Sequence, residues 1–145
     1  MRTLLDLANE LDQLATTLPP QVTNNLSLEA AELILNDLLS VTPVDSGKAI
    51  SNWQVTLDTP PQEALPAYYP GKQGSTQVIC QTAALEAAQA VLKAKRPGQT
   101  LYISNVLPYI RRLNDGYSGQ APAGFVERSI LLGRLFTENP SSFVR

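Results

Sequence analysis

Eleven prolines are spread along this chain, and they limit how far any one element can run. A proline inside a helix removes a hydrogen bond and clashes with the preceding turn, so Pro19-Pro20, Pro43, Pro97 and Pro140 read as boundaries. Between Thr59 and Ser75 the breakers cluster as Pro60, Pro61, Pro66 and Pro70, with Gly71 and Gly74 among them. A loop this long in a compact domain is usually functional or disordered. Its adjacent tyrosines, Tyr68 and Tyr69, are costly to leave in water, and we expect them to rest on something, another subunit included.

The stretches between breakers are periodic. Leu4, Leu7, Ala8, Leu11, Leu14, Ala15 and Leu18 fall at helical spacing, with Asp6, Asn9, Glu10, Asp12 and Gln13 opposite, which predicts an amphipathic helix ended or kinked by Pro19-Pro20. Leu28, Ala31, Leu35 and Leu38 predict a second helix to about Ser40. Two starts fit it: Thr17 as cap with the prolines in the first turn, or a later cap at Asn24, Asn25 or Ser27. Asp45-Ser46-Gly47 is turn chemistry. "NWQVTLD" alternates Trp53, Val55 and Leu57 with Asn52, Gln54, Thr56 and Asp58, the pattern of a strand with one buried face. "QTAALEAAQAVLKAKR" is a strong helix former stopped by Pro97-Gly98, its small side chains suited to lying close against a sheet. "STQVIC" before it reads as a short strand or as the lead into that helix. "QTLYIS" is a second strand, alternating Leu101 and Ile103 with Thr100, Tyr102 and Ser104. "PYIRRLNDG" allows a turn or two of helix, Pro108 at its first position and Gly116 at its exit. Pro122 is then suited to open a last helix, whose apolar face is Phe125, Val126, Ser129, Ile130, Leu132, Gly133 and Phe136.

Strands separated by helices and long loops, and too few of them for a doubly wound sheet, predict an α+β fold. The expected plan is a small, mostly antiparallel sheet packed by helices, with N- and C-terminal helices and a long Pro-rich loop. At 145 residues the chain is expected to be one domain: an N-terminal helical region (1–41), an α+β core (42–136) and a tail (137–145).

A formal net charge of −2 argues against a dedicated DNA binder, which needs a surplus of Lys and Arg to meet phosphates. The basic cluster Lys93, Lys95 and Arg96 is explained by the negative end of its helix. The lone Cys80 excludes an internal disulfide, suits a reducing compartment, and reads as a small buried hydrophobe. Acids run through the N-terminal stretch, unlike a signal peptide, and no apolar run approaches the roughly 20 residues that span a bilayer. A soluble protein made in a cytoplasm is expected.

Reagents for catalysis are scarce. The chain has no histidine, hence no imidazole base or imidazole metal ligand. Ser46-Gly47-Lys48 lacks the glycine-rich run and the strand-to-helix setting of a phosphate loop. Asp45 and Asp115 are residue types that do acid–base work or hold a divalent ion, but beside glycine they read first as turn formers. Glu127 and Arg128 read as a solvated helical face. Arg111-Arg112 with Tyr109 and Tyr117 is a basic–aromatic mixture of the kind that grips nucleic acid, although adjacent arginines on a short helix diverge. No catalytic residue, cofactor site or metal site emerges, and the chain is expected not to be an enzyme.

Two stretches, "TPVDSGKAISNW" (Thr42 to Trp53) and "YISNVLPYIRRLNDGYSGQAPAGFV" (Tyr102 to Val126), together resemble the small tail-component proteins of tailed bacteriophages, a group that includes neck, head–tail joining and tail-completion proteins. The resemblance is carried by Thr42, Pro43, Val44, Asp45 and Gly47, then Asn52 and Trp53. Downstream it is carried by Asn105, Pro108, Tyr109, Leu113, Gly116, Ser118, Gln120, Ala121, Pro122 and Gly124. Asn114-Asp115 stands where many members have a glutamate before the glycine. The resemblance implies a structural virion protein of the neck or tail end. Copies would form a cyclic head-to-tail ring joining the head connector to the tail, as a completion, terminator or adaptor ring. Partners would be further copies and neighbouring neck, connector or tail-tube proteins, with DNA only as passing cargo and no membrane. Its place would be the virion, and the host cytoplasm during assembly. The expected contact and motif residues are Asp45, Gly47, Trp53, Tyr68, Tyr69, Asn105, Pro108, Tyr109, Arg111, Arg112, Gly116, Ser118, Gln120, Pro122 and Gly124. The alternatives are a nucleic-acid-contacting assembly factor working through Arg111 and Arg112, and a small carboxylate-dependent hydrolase using Asp45 or Asp115.

Overall fold

The computed structural model of the chain describes residues 3–6, 9 and 19–140. In order it forms α1 (Pro20–Val41), α2 (Lys48–Ser51), β1 (Gln54–Leu57), α3 (Gln77–Ala94), β2 (Leu101–Ser104), α4 (Ile110–Asn114) and α5 (Phe125–Glu138). Residues 4–6 are helical too, opened by a reciprocal cap in which Thr3 N–H donates to Asp6 and Asp6 N–H to Thr3. The rest of the N-terminal amphipathic series, Thr17 and the "SSFVR" tail lie outside the described residues. The fold is α+β: a two-stranded antiparallel sheet packed against helices, with α1 and α5 packed on each other.

The start of α1 follows proline geometry. Pro19 is its N-cap and Pro20 occupies the first helical position, where a missing N–H costs nothing. Asn24, Asn25 and Ser27 therefore sit inside the helix and cap nothing. Buried Asn24 instead accepts a hydrogen bond from Lys95 Nζ at the end of α3. Partial burial holds that ammonium below the ordinary lysine pKa, which the nearby Asp58 partly offsets. Ile34, Leu35, Leu38 and Leu39 supply the buried face of α1, joining Ile50, Trp53, Val55, Cys80, Ile103 and Phe125 in one core.

β1 and β2 pair with Val55 opposite Ile103 and Leu57 opposite Leu101. Val55 and Ile103 face the core, as their alternation predicts. Asp58, with φ of 67°, turns the chain away, and its carboxylate accepts from Thr100 N–H (3.2 Å) and Gln99 Nε2 (3.0 Å). On α3 the buried residues are Cys80, Ala84, Ala88 and Leu92, a stripe at four-residue spacing that lets the helix lie close on β1. Of the two readings of "STQVIC", the helical lead is the one adopted: α3 already runs from Gln77.

Three expectations are corrected. Pro108 is not the first residue of α4: Tyr109 is its N-cap and Ile110 its first helical position. Asn52 does not share a solvent face with Gln54; it lies before the strand, fully buried, because α2 turns the chain there. Pro122 does not open the last helix; Gly124 does, with φ of 81°, a left-handed conformation that glycine adopts without strain.

α1 and α5 approach at a glycine. A Cβ at Gly133 would lie 2.5 Å from Ile34 Cδ1 and 2.6 Å from Ile34 Cγ1, with Ile34 itself buried. Gly133→Ala should lower stability by about 1–2 kcal/mol in urea unfolding, since overpacking outweighs the smaller gain in helix propensity. The same change should cost clearly less in an Ile34→Ala background.

Candidate functional site

The Pro-rich segment is tied down along its length. Asn52 Nδ2 donates to Leu65 O (2.8 Å) and to Lys48 O (2.7 Å), while Asn52 Oδ1 accepts from Leu65 N–H (2.7 Å). Gln54 Nε2 donates to Glu63 O, and Tyr68 N–H donates to Ser51 Oγ. Farther on, Gly71 N–H and Gly74 N–H donate to Ser46 O and Asp45 O, each at 3.0 Å. Gln73 N–H donates to Asp45 Oδ1 at 2.7 Å. The connector from Asp45 to Gln54 is thus a template on which the loop is laid.

Gly47 is the closest approach in that template. It has φ of 90°, and a Cβ there would lie 2.8 Å from Cys80 Sγ. The Cys80 thiol donates to Tyr69 O at 3.3 Å, so α2, the loop end and the start of α3 meet around one fully buried sulfur.

The downstream stretch is held by three amides. Asn105 Nδ2 donates to Ala49 O at 3.0 Å, and its Oδ1 accepts from Leu107 N–H. Asn114 closes the base of the Gly/Pro loop: its Oδ1 accepts from Val126 N–H, its Nδ2 donates to Glu127, and its carbonyl accepts from Gly124 N–H at 2.7 Å. Gln120 latches the loop tip by pairing with the Val44 backbone in both directions, Val44 N–H to Oε1 at 2.9 Å and Nε2 to Val44 O at 3.2 Å. Ser118 Oγ accepts from Gln120 N–H, and Gly116, with φ of 91°, turns the chain out of α4.

The expected contact residues therefore divide in two. Trp53 is buried in the core, its indole N–H donating to Thr42 Oγ1 at 2.8 Å, and Gly47 is buried as well. Both are excluded from the contact surface. Asp45, Asn105, Ser118, Gln120, Gly116 and Gly124 hold the framework by the contacts above. Outside it stand Tyr68, Tyr69, Pro108, Tyr109, Arg111, Arg112 and Pro122, all exposed. Partial burial raises the Tyr109 phenol above its ordinary pKa. The Arg112 guanidinium lies 5.8 Å from the centroid of the Tyr117 ring, which is 79% exposed.

Sequence reading missed a further set of exposed apolar side chains: Val78 (73% exposed) and Ile79 (51%) at the start of α3, and Leu131 and Leu135 on α5. The signal was present for the first two, since both fall off the four-residue stripe that begins at Cys80. Glu127 and Arg128 are more than a solvated face. Glu127 receives Asn114, and Arg128 Nη2 lies 3.6 Å from Asp37 Oδ1, beside a 2.6 Å hydrogen bond from Ser129 Oγ to Asp37 Oδ2. These contacts clamp α5 to α1 and to the loop base.

Among the described residues, no group of three or more His, Cys, Asp or Glu is placed to hold a metal ion, and no helix is long and apolar enough to cross a membrane. The Asp45 carboxylate does not cap its own turn but accepts from Gln73 N–H in the Pro-rich segment at 2.7 Å. The arrangement offers a stiff frame carrying exposed aromatic, aliphatic and charged side chains, which is the chemistry of a contact surface. No protein-family model matches the chain, and neither a curated protein nor a solved structure matches it.

Asn52→Asp keeps the acceptor for Leu65 N–H but sets a carboxylate oxygen against two carbonyls. It should cost at least about 2 kcal/mol and speed amide exchange at Leu65. Gln120→Ala should cost about 1 kcal/mol and open only residues 117–123 to limited proteolysis.

Proposed function

We propose that this chain is a structural virion protein of a tailed phage, working at the neck or tail end as a ring that joins the head connector to the tail. The observation that carries the reading is the pairing of Gln120 with Val44. The two stretches that resemble the tail-component proteins, distant in sequence, are locked into one framework, and Asn105 to Ala49 adds a second tie. A frame with fixed backbone shape has little ordering left to lose on assembly, and exposed tyrosines supply amphipathic contact area.

One observation favours a second reading. Arg111 and Arg112 are exposed without a carboxylate partner among the described residues, beside exposed Tyr109 and Tyr117. That combination fits a nucleic-acid-contacting assembly factor.

Quantitative mass spectrometry of purified particles of the phage that encodes the chain separates the two. A ring component should be present at a low, fixed ratio close to that of the portal protein. Absence from mature particles would overturn the structural reading. Salt-sensitive DNA retention that is lost in Arg111→Ala/Arg112→Ala would then support the second.

A further inference from the structure

The loop between α4 and α5 is held at two levels. At its base, Asn114 O accepts from Gly124 N–H at 2.7 Å and Asn114 Oδ1 from Val126 N–H at 2.9 Å. Tyr117 N–H donates to Arg112 O at 3.3 Å. The tip is different. From Ser118 to Ala123, among the described residues, the hydrogen bonds to the rest of the molecule are the two that Gln120 makes with Val44. Gln120 N–H turns back to Ser118 Oγ inside the loop. Ala121 is buried and belongs to the core cluster, while Pro122 and Ala123 are exposed. A Cβ at Gly119 would meet nothing within 4 Å.

Glycines stand at both ends of this tip. Gly116 has φ of 91° and Gly124 φ of 81°. Glycine moves between left-handed and ordinary backbone conformations without the Cβ penalty, and a few such residues at the ends of a segment absorb the dihedral change of a hinge. Two neutral hydrogen bonds and one buried methyl group hold the tip shut, so its closure is far weaker than the packing of the core. A segment held this lightly opens before the fold around it does. What the tip covers gives that opening a consequence. Val44 is buried, and its N–H and C=O are both taken by the Gln120 amide. A side-chain amide that donates to and accepts from one residue stands where a strand neighbour would, and no other extended chain can pair with Val44 while it is there.

We infer that residues 118–123 form a strap that swings as one unit between Gly116 and Gly124 while the rest of the fold stays closed. Shut, the strap is an autoinhibitory cap on the Val44 main chain. Open, it releases the Val44 N–H and C=O and the seat of Ala121 in a single event. The strap is a property of the single chain and stands apart from the ring reading above.

Two reporters, one on each part of the contact, test it on the full chain. The first is alkylation by iodoacetamide of the thiol introduced by Ala121→Cys, with fully buried Cys80 of the same chain reporting global unfolding. The introduced thiol should react at least about 100-fold faster than Cys80, with little dependence on urea. Adding Gly133→Ala, which loosens the α1–α5 packing, should speed Cys80 about tenfold and leave the introduced thiol unchanged. Adding Gln120→Ala should speed the introduced thiol about fivefold. The second reporter is hydrogen exchange at Val44 N–H in the wild-type chain, which should give the same opening constant within about threefold. Equal rates at the two thiols, or Gly133→Ala speeding both alike, would mean that the loop opens only with the whole fold, and would overturn the strap. Val44 N–H protected to the level of global unfolding would overturn it as well, in a chain that carries no substitution.

Discussion

Asn52 and Trp53, neighbours just ahead of β1, are both buried, and their polar atoms tie together parts of the chain that apolar packing alone would leave loose. Trp53 donates its indole N–H to Thr42 Oγ1, and the Thr42 hydroxyl donates to Leu38 O at the end of α1. Asn52 reaches α2 on one side and Leu65 on the other. A two-stranded sheet is marginal in water by itself, so β1 and β2 depend on being held against helices. These two side chains set where the strand begins and what lies over it. Were either amide or indole left without its partner, a buried donor or acceptor would cost about 1–3 kcal/mol, a sizeable share of a small domain's net stability.

The same logic runs outward. A long segment rich in proline cannot satisfy its backbone by forming a ladder, because its prolines have no N–H to give and helices cannot continue through them. Here the carbonyls and amides of Glu63, Leu65, Tyr68, Gly71, Gln73 and Gly74 find partners on the connector from Asp45 to Gln54. The loop is therefore part of the frame, and Tyr68 and Tyr69 are held at its edge. On the other side Gln120 substitutes for a strand neighbour by pairing with the Val44 backbone. Side chains held in place in this way have less conformational freedom left to lose in any contact.

Much of this was readable from residue spacing. The β1 and β2 alternation, the α3 and α5 helices, the turn at Asp45-Gly47 and the burial of Cys80 all follow from local rules, because each depends on residues close in sequence. Asn52 was misread for a physical reason: alternation assigns a face, yet α2 ends one residue before it and rotates it inward. Pro122 was misread because proline and glycine compete to start the same helix, and the left-handed turn at Gly124 prevailed. The expected contact residues divide where periodicity has nothing to say. Trp53 and Gly47 belong to the interior, whereas Val78 and Ile79 stand outside because the buried stripe of α3 starts at Cys80 and keeps a four-residue spacing that neither position meets.

The sequence by itself determined the two strands, the course of the longer helices and the absence of histidine chemistry, since propensity, proline and composition act locally or on the whole chain at once. Only the tertiary structure decided which polar side chains are internal ties and which face outward. That choice turns on partners far along the chain, Gln120 with Val44, Asn105 with Ala49, Asn24 with Lys95 and Gly133 with Ile34. A carboxamide reads the same in sequence whether it meets water or a backbone carbonyl, and only packing supplies the second group.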